Sequence, residues 1–299
     1  MNESPLISII IASYNHSDYI KKTIESAIEQ DYDNIELIII DDGSKDNSDM
    51  VISELKSRCE NRFKRYVYIK QSNMGLSRTL NKAISISNGK YIMPIGSDDI
   101  VIKNKCSVLL PYLEDDDLLA AVFGCAIFID EHDRETGYQK PIMKIHTMDE
   151  LILSENLPLT PGVILRKSAL DNVGGFHSEL KLEDWYMWLK LADSGYKLMT
   201  VDKVVSRYRV HSTNTSKNYE WMRLELLKSL GFFKEHILYD KARSKINYVA
   251  ALAARNNRDV KSVIFYLVQA RHESFIKKIK CLFLTLFPKP KYWFKKGKA

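Results

Sequence analysis

Cysteine is scarce: Cys59, Cys106, Cys125 and Cys281 are scattered over 299 residues and form no CxxC pair. That spacing offers neither a zinc site nor a disulfide framework, and it suits a reducing compartment. No apolar run approaches the ~18 residues of a membrane span. Residues 1–5 lack the basic-then-apolar pattern of a secretory signal, so the chain is expected in the cytoplasm or against the inner face of the cell membrane. No internal repeat or low-complexity tract is present, although 289–298 is biased toward lysine. Acidic residues are absent from Ser274 onward, where eight lysines occur. Since the net charge is +6, the remaining chain is slightly acidic, by about two charges. That balance excludes a uniformly basic nucleic-acid surface, and no nucleic-acid partner is expected.

Apolar residues make up 45% of the chain, enough for a sizeable core. Residues 6–12 form a continuous isoleucine-rich run, which reads as a strand buried on both faces of a parallel sheet. In 18–30, Ile20, Ile24, Ala27 and Ile28 recur at helical spacing. Further strands are expected at 35–40, 66–69 and 91–95. Between them, Ser48 is expected to cap a helix running to about Cys59, and Leu76, Leu80, Ala83 and Ile84 mark another helix. This alternation predicts βαβ units and a mostly parallel α/β sheet flanked by helices.

Helices are expected at 103–113 and 183–192, strands at 120–129 and 201–208, and 158–165 leads into a strand-like stretch. Segment 132–145 reads as polar and irregular. Beyond about Ser216 the pattern turns helical, at 219–236, 241–254 and 260–272. The expected organisation is thus a catalytic domain over 1–215 and a helical C-terminal region over 216–299.

Ligands of such sheets sit beyond the carboxyl ends of the strands. Ser13-Tyr14-Asn15, Asp41-Asp42-Gly43-Ser44 and Gly96-Ser97-Asp98-Asp99 follow three of them, gathering four carboxylates on one edge. Taken singly, each motif has a plain reading. Asp184 is an N-cap, Asp41 to Ser44 a turn, Asp98-Asp99 a solvated loop, and Arg78 and His211 surface or packing residues. Trp185 and Trp188 read as core before sugar platform. No glycine-rich basic phosphate loop follows the first strand, where Ser13-Tyr14-Asn15-His16 stands, and this weighs against a nucleotidyltransferase.

The ordered set Ser13-Tyr14-Asn15, Asp41-Asp42-Gly43-Ser44, Asn73 to Arg78, Ser97-Asp98-Asp99 and Glu183-Asp184 resembles the family 2 glycosyltransferases over roughly residues 6–215. The resemblance implies a GT-A (Rossmann-like) fold and an inverting, metal-dependent transfer from a nucleotide sugar. It implies that Ser13, Tyr14, Asn15 and Asp42 line the base pocket, with Asp42 accepting from the base N3–H, which favours uridine. Arg78 would approach the nucleotide, and Asp98 and Asp99 would hold ribose and a divalent cation, Mn²⁺ or Mg²⁺. His211 would reach the metal or the diphosphate, and Asp184 would be the catalytic base. Many members carry an aspartate where this chain has Gly96, so the number of protein ligands is left open. An inactive nucleotide-sugar-binding protein is the other alternative, opposed by the presence of Asp98, Asp99 and Asp184.

Resemblance to bacterial members of this size implies UDP-glucose, then UDP-galactose, as donor. It implies an undecaprenyl-diphosphate-linked sugar as acceptor, in O-antigen or other surface-polysaccharide assembly. Segment 276–287 mixes Lys277, Lys278 and Lys280 with apolar residues, and Tyr292-Trp293-Phe294 follows. This composition fits binding in the plane of an anionic membrane surface.

Overall fold

A seven-residue strand, β1 (Ile7–Ser13), is flanked on both sides by parallel neighbours and is buried almost throughout. Its isoleucines suit a position covered on both faces. The computed structural model describes residues 4–211 and 218–286. The chain divides into two compact units, Met1–Leu151 with Asn156–Ser212, and Ile152–Glu155 with Thr213–Ala299.

In the first unit β1 leads to α1 (Ile20–Ile28), β2 (Ile35–Asp41), α2 (Ser48–Glu54), α3 (Lys56–Arg62), β3 (Arg65–Lys70), α4 (Leu76–Ser85) and β4 (Tyr91–Gly96). Then follow β5 (Ile100–Val101), α5 (Lys105–Asp115), β6 (Leu119–Ile129), β7 (Glu135–Tyr138), β8 (Lys144–His146) and α6 (Met148–Ile152). The unit ends with β9 (Val163–Arg166), α7 (Lys167–Val173), α8 (Glu183–Asp193) and β10 (Lys197–Arg209). The strands form one sheet in the order β3-β2-β1-β4-β9-β6-β10-β5, with β7 on β6 and β8 on β10. The β3-β2-β1-β4 half is parallel throughout. Beyond β4 the pairing is mixed: β9 runs antiparallel to both β4 and β6, whereas β6 and β10 are parallel.

The core joins the sheet to its helices. Ile7, Ile9 and Ile11 of β1 pack in one cluster with Ile20, Ile24 and Ala27 of α1, Leu37 and Ile39 of β2, and Leu109 and Leu113 of α5. Truncating one such isoleucine to alanine would cost about 2–5 kcal/mol. Trp185 and Trp188 are core residues: the Trp185 indole donates to Leu151 O at 2.9 Å, and Trp188 meets Phe123 edge-on with ring centroids 4.8 Å apart.

Three local expectations need correction. Ser48 does not cap a helix; it is the first residue of α2, because its hydroxyl donates to Asp46 Oδ1 at 2.6 Å and accepts from His16 N–H at 3.2 Å. The helix expected to reach Cys59 is two helices that meet at Leu55. Segment 132–145 carries β7 and the start of β8, whose order comes from pairing with β6 and β10 rather than from an apolar period.

The second unit is helical: α9 (Tyr219–Leu230), α10 (Tyr239–Asn256), α11 (Val260–Gln269) and α12 (Phe275–Leu286). Asn218 and Asp259 cap α9 and α11 by accepting from Trp221 N and Ser262 N. Ala250, Ala251, Ala254, Val263, Tyr266, Leu267 and Cys281 form its core. The tail motif Tyr292-Trp293-Phe294 lies outside the described residues.

Candidate active site

The carboxyl ends of β1, β2 and β4 converge on one edge. After β1, Asn15 turns the chain with φ 54°, a left-handed conformation that asparagine tolerates. Three successive backbone N–H groups of this turn are held by side chains of the loop after β2. Asn15 N donates to Ser44 Oγ, His16 N to Ser48 Oγ, and Ser17 N to Asp46 Oδ2. Asn15 Oδ1 in turn accepts from Lys45 N at 2.8 Å. Tyr14 stands 42% exposed, its ring open to a ligand. Ser13 and Asp41 face each other in register across β1 and β2. Among the described residues, Ser13 Oγ and Asp41 Oδ2 are buried without a hydrogen-bond partner. Such orphaned groups cost about 1–3 kcal/mol each in isolation.

Asp42 is buried, and its carboxylate organises the next loop. Oδ1 accepts from Gln71 Nε2 at 2.9 Å and from Met74 N at 2.8 Å, and Oδ2 accepts from Gly75 N at 2.8 Å. A carboxylate offers about four lone-pair sites, so roughly one remains for a ligand. Arg78, on α4, points to Glu179, which it meets at 2.6 Å in an exposed ion pair.

Beyond β4 the two adjacent aspartates separate in role. Asp98 Oδ2 lies 3.0 Å from His211 Nε2. Asp99 is buried, and its Oδ1 accepts from Arg209 N at 2.9 Å. Burial first, then the neighbouring Asp98 charge, pushes the Asp99 carboxyl well above the usual carboxylate range. Thr23 of α1 pins this loop by donating to Ser97 O and Asp99 O. Arg209 donates from Nε to Asp98 O, and its guanidinium lies 4.7 Å above the Tyr19 ring. Tyr19 in turn stacks on His211 at 5.5 Å.

His16 completes the group. Its Nδ1 is 2.7 Å from Ser97 Oγ, and one ligand atom from each of His16, Asp98 and His211 lies within 4.8 Å of the others. Burial lowers the His16 pKa, against the pull of Asp98, which favours the neutral ring a metal requires. Two imidazoles and a carboxylate form a donor set that suits a divalent transition-metal cation. Among the expected ligands the structure thus brings together Asp98 and His211, while Asp99 faces the β10 backbone. The sequence alone does not single out His16, although it directly follows Ser13-Tyr14-Asn15.

Asp184 lies in the first turn of α8. Oδ2 accepts from Thr160 Oγ1 at 2.8 Å, and Oδ1 accepts from Trp185 N at 2.7 Å. The adjacent Glu183 is pushed up to about 8, chiefly by burial and secondarily by Asp184. The Thr160–Gly162 turn is anchored from beneath by Lys105 Nζ, which donates to Pro161 O at 2.8 Å. Thr160 is a second residue the sequence reading missed.

A model of the family described as "Glycosyl transferase family 2" matches residues 8–174. An Escherichia coli protein, UDP-Glc:alpha-D-GlcNAc-diphosphoundecaprenol beta-1,3-glucosyltransferase WfaP, is 31% identical over 235 residues, covering 77% of this chain and 89% of its own. The S. aureus TarS 1–349 structure solved with UDP-GlcNAc superposes with TM-score 0.60 at 17% identity, covering 94% of this chain and 90% of its own. Mannosyltransferase PcManGT from Pyrobaculum calidifontis, solved with GDP-Man and Mn²⁺, gives TM-score 0.60 at 15% identity over 97% of this chain and 89% of its own. These likenesses show that the sheet is a GT-A fold.

Proposed function

The chain belongs to glycosyl transferase family 2, and on that premise we propose that it moves a sugar from a UDP-sugar to a lipid-diphosphate-linked sugar with inversion. UDP-glucose is the first donor and UDP-galactose the second. The acceptor is an undecaprenyl-diphosphate-linked sugar of a surface polysaccharide such as O-antigen. The observation that carries this reading is the 31% identity, over most of both chains, to an Escherichia coli glucosyltransferase whose name states that donor and acceptor.

The roles follow the site. Tyr14 offers its exposed ring to the base, with Ser13, Asn15 and Asp42 beside it. Asp42 also holds the 74–75 backbone, so the base pocket and the loop before α4 are fixed by one carboxylate. Arg78 reaches the nucleotide by leaving Glu179, which is cheap because an exposed pair is worth about 0–1 kcal/mol.

Asp98 and His211 hold the divalent cation, Mn²⁺ or Mg²⁺, with Asp99 bracing the loop against β10. When bound, the cation supplies charge neutralisation for the leaving diphosphate. In the transfer the acceptor hydroxyl oxygen bonds to the anomeric carbon and its proton passes to Asp184. The bond to the diphosphate oxygen breaks, and its electron pair leaves with UDP.

The helical second unit serves attachment to the anionic inner face of the cell membrane. Among the described residues no helix is long and apolar enough to cross a membrane. On α12, however, Ile276, Ile279 and Leu286 recur at helical spacing and are 78%, 50% and 53% exposed, with Lys277, Lys278 and Lys280 between them. A radiolabelled panel of UDP-sugars with an undecaprenyl-diphosphate-GlcNAc acceptor, with Mn²⁺ or with EDTA, tests the reading. Product from UDP-glucose that disappears in EDTA is expected. No product from any UDP-sugar would overturn it.

A further inference from the structure

The geometry points to His16 as a third protein ligand of the cation, a second imidazole in a chain that has glycine at position 96. This rests on the reading that Asp98 and His211 hold a divalent cation. The donor set is then two imidazoles and one carboxylate, drawn from the loops after β1, β4 and β10.

Position 96 is glycine and supplies no carboxylate. A Cβ built on Gly96 would lie 2.7 Å from Asp99 Oδ2 and 3.1 Å from Asp98 Oδ1, so a side chain there would require those two carboxylates to shift. A third protein ligand would come from another element. His16 is the residue that the loop after β1 brings within reach of Asp98 and His211.

The His16 ring is oriented by features that suit a ligand. Ser97 Oγ engages Nδ1 at 2.7 Å, so Nε2 is the ring nitrogen left as a ligand atom. Metal-bound imidazoles usually donate their second N–H to an oxygen in this way, which fixes tautomer and orientation. The backbone beneath is equally constrained, with N–H groups of residues 15, 16 and 17 each held by Ser44, Ser48 or Asp46. His16 O accepts from Tyr19 N and Ile20 N at the start of α1. The ring therefore needs little reorganisation to bind.

The consequence is selectivity. Imidazole suits borderline cations, whereas Mg²⁺ prefers oxygen and gives up its water reluctantly. A two-imidazole site prefers Mn²⁺, Co²⁺ or Zn²⁺ to Mg²⁺.

The test is direct Mn²⁺ binding to the full chain, alone and with UDP, followed by the EPR signal of free Mn²⁺. Pulsed EPR then counts ¹⁴N couplings to the bound ion. Two coupled nitrogens are expected in the wild type and one in His16→Gln, with affinity lowered by about 10- to 100-fold, at least the loss seen when an outer-shell partner is removed. His16→Asp guards against a folding artefact. It should retain one nitrogen, recover binding relative to His16→Gln, and narrow the preference for Mn²⁺ over Mg²⁺. If the wild type binds Mn²⁺ and His16→Gln keeps both nitrogens and the same affinity, the role of His16 is overturned while the metal reading stands. If the wild type binds no Mn²⁺ with or without UDP, both fall.

Discussion

The Thr160 hydroxyl donates to Asp184 Oδ2 at 2.8 Å, and this bond, with the one from Trp185 N to Oδ1, fixes the orientation of the carboxylate at the head of α8. Asp184→Asn should therefore lower kcat by about 10²–10⁴-fold, the usual worth of a general base, with UDP affinity unchanged. Thr160→Val keeps the volume but removes the donor. It should lower kcat by about tenfold, a loss in the range of one hydrogen bond to a charged group. Steady-state kinetics with calorimetric UDP binding checks both. Full activity in Asp184→Asn would remove this residue from the mechanism.

Introducing at position 96 the aspartate that the family resemblance implies there should harm this chain. In Gly96→Asp the new side chain meets the carboxylates of Asp98 and Asp99, and Asp99 is tied to Arg209 N. Mn²⁺ binding is expected to weaken relative to wild type, measured beside urea unfolding to separate it from stability. Tighter binding would show that the Asp98-Asp99 loop can rearrange around a third carboxylate.

Lys105 is fully buried, and desolvation, only partly offset by Cys106 and Asp99, lowers its pKa to about 7 from 10.5. Between those values the unfolded chain binds more protons than the folded one, so this residue makes stability rise as pH increases from about 7 toward 10.5. Lys105→Met should flatten that rise. Urea midpoints of both proteins at pH 7, 8 and 9 provide the comparison, and parallel curves would contradict the assignment.

The apolar stripe of α12 should matter for lipid and not for chemistry. Replacing both Ile276 and Ile279 with glutamate is expected to abolish flotation with phosphatidylglycerol vesicles. Each burial lost is worth about 1.5–3 kcal/mol, and the added charge is repelled by the surface. Turnover of a short-chain, water-soluble acceptor should persist. Undiminished flotation would place membrane contact elsewhere.

Much of the parallel half was legible because a parallel sheet writes itself into sequence as short, wholly apolar runs. The expected strands at 6–12, 35–40, 66–69 and 91–95 fall within one residue of β1, β2, β3 and β4 at every boundary. Strand ends in such a sheet carry the ligand-facing loops, so the edge that includes Ser13, Asp42 and Asp98 could be located as well. The antiparallel strands β7 and β8 were less legible, whereas the strand-like stretch expected at the end of 158–165 is β9. Glu135–Tyr138 is exposed at every position, and its strand state comes from its partner β6.

By itself the sequence determined the sheet's parallel half, the family and the candidate carboxylates, because these depend on local apolar period and on motif order. Only the tertiary structure decided what those side chains face. It turned Asp99 toward the β10 backbone, engaged both oxygens of the Asp42 carboxylate with the 74–75 backbone, and set Thr160 behind Asp184. It also brought His16 to Asp98 and His211 from three different strand ends. Distances between residues far apart in the chain follow from register and loop geometry, and neither is written in the residues that make the contact.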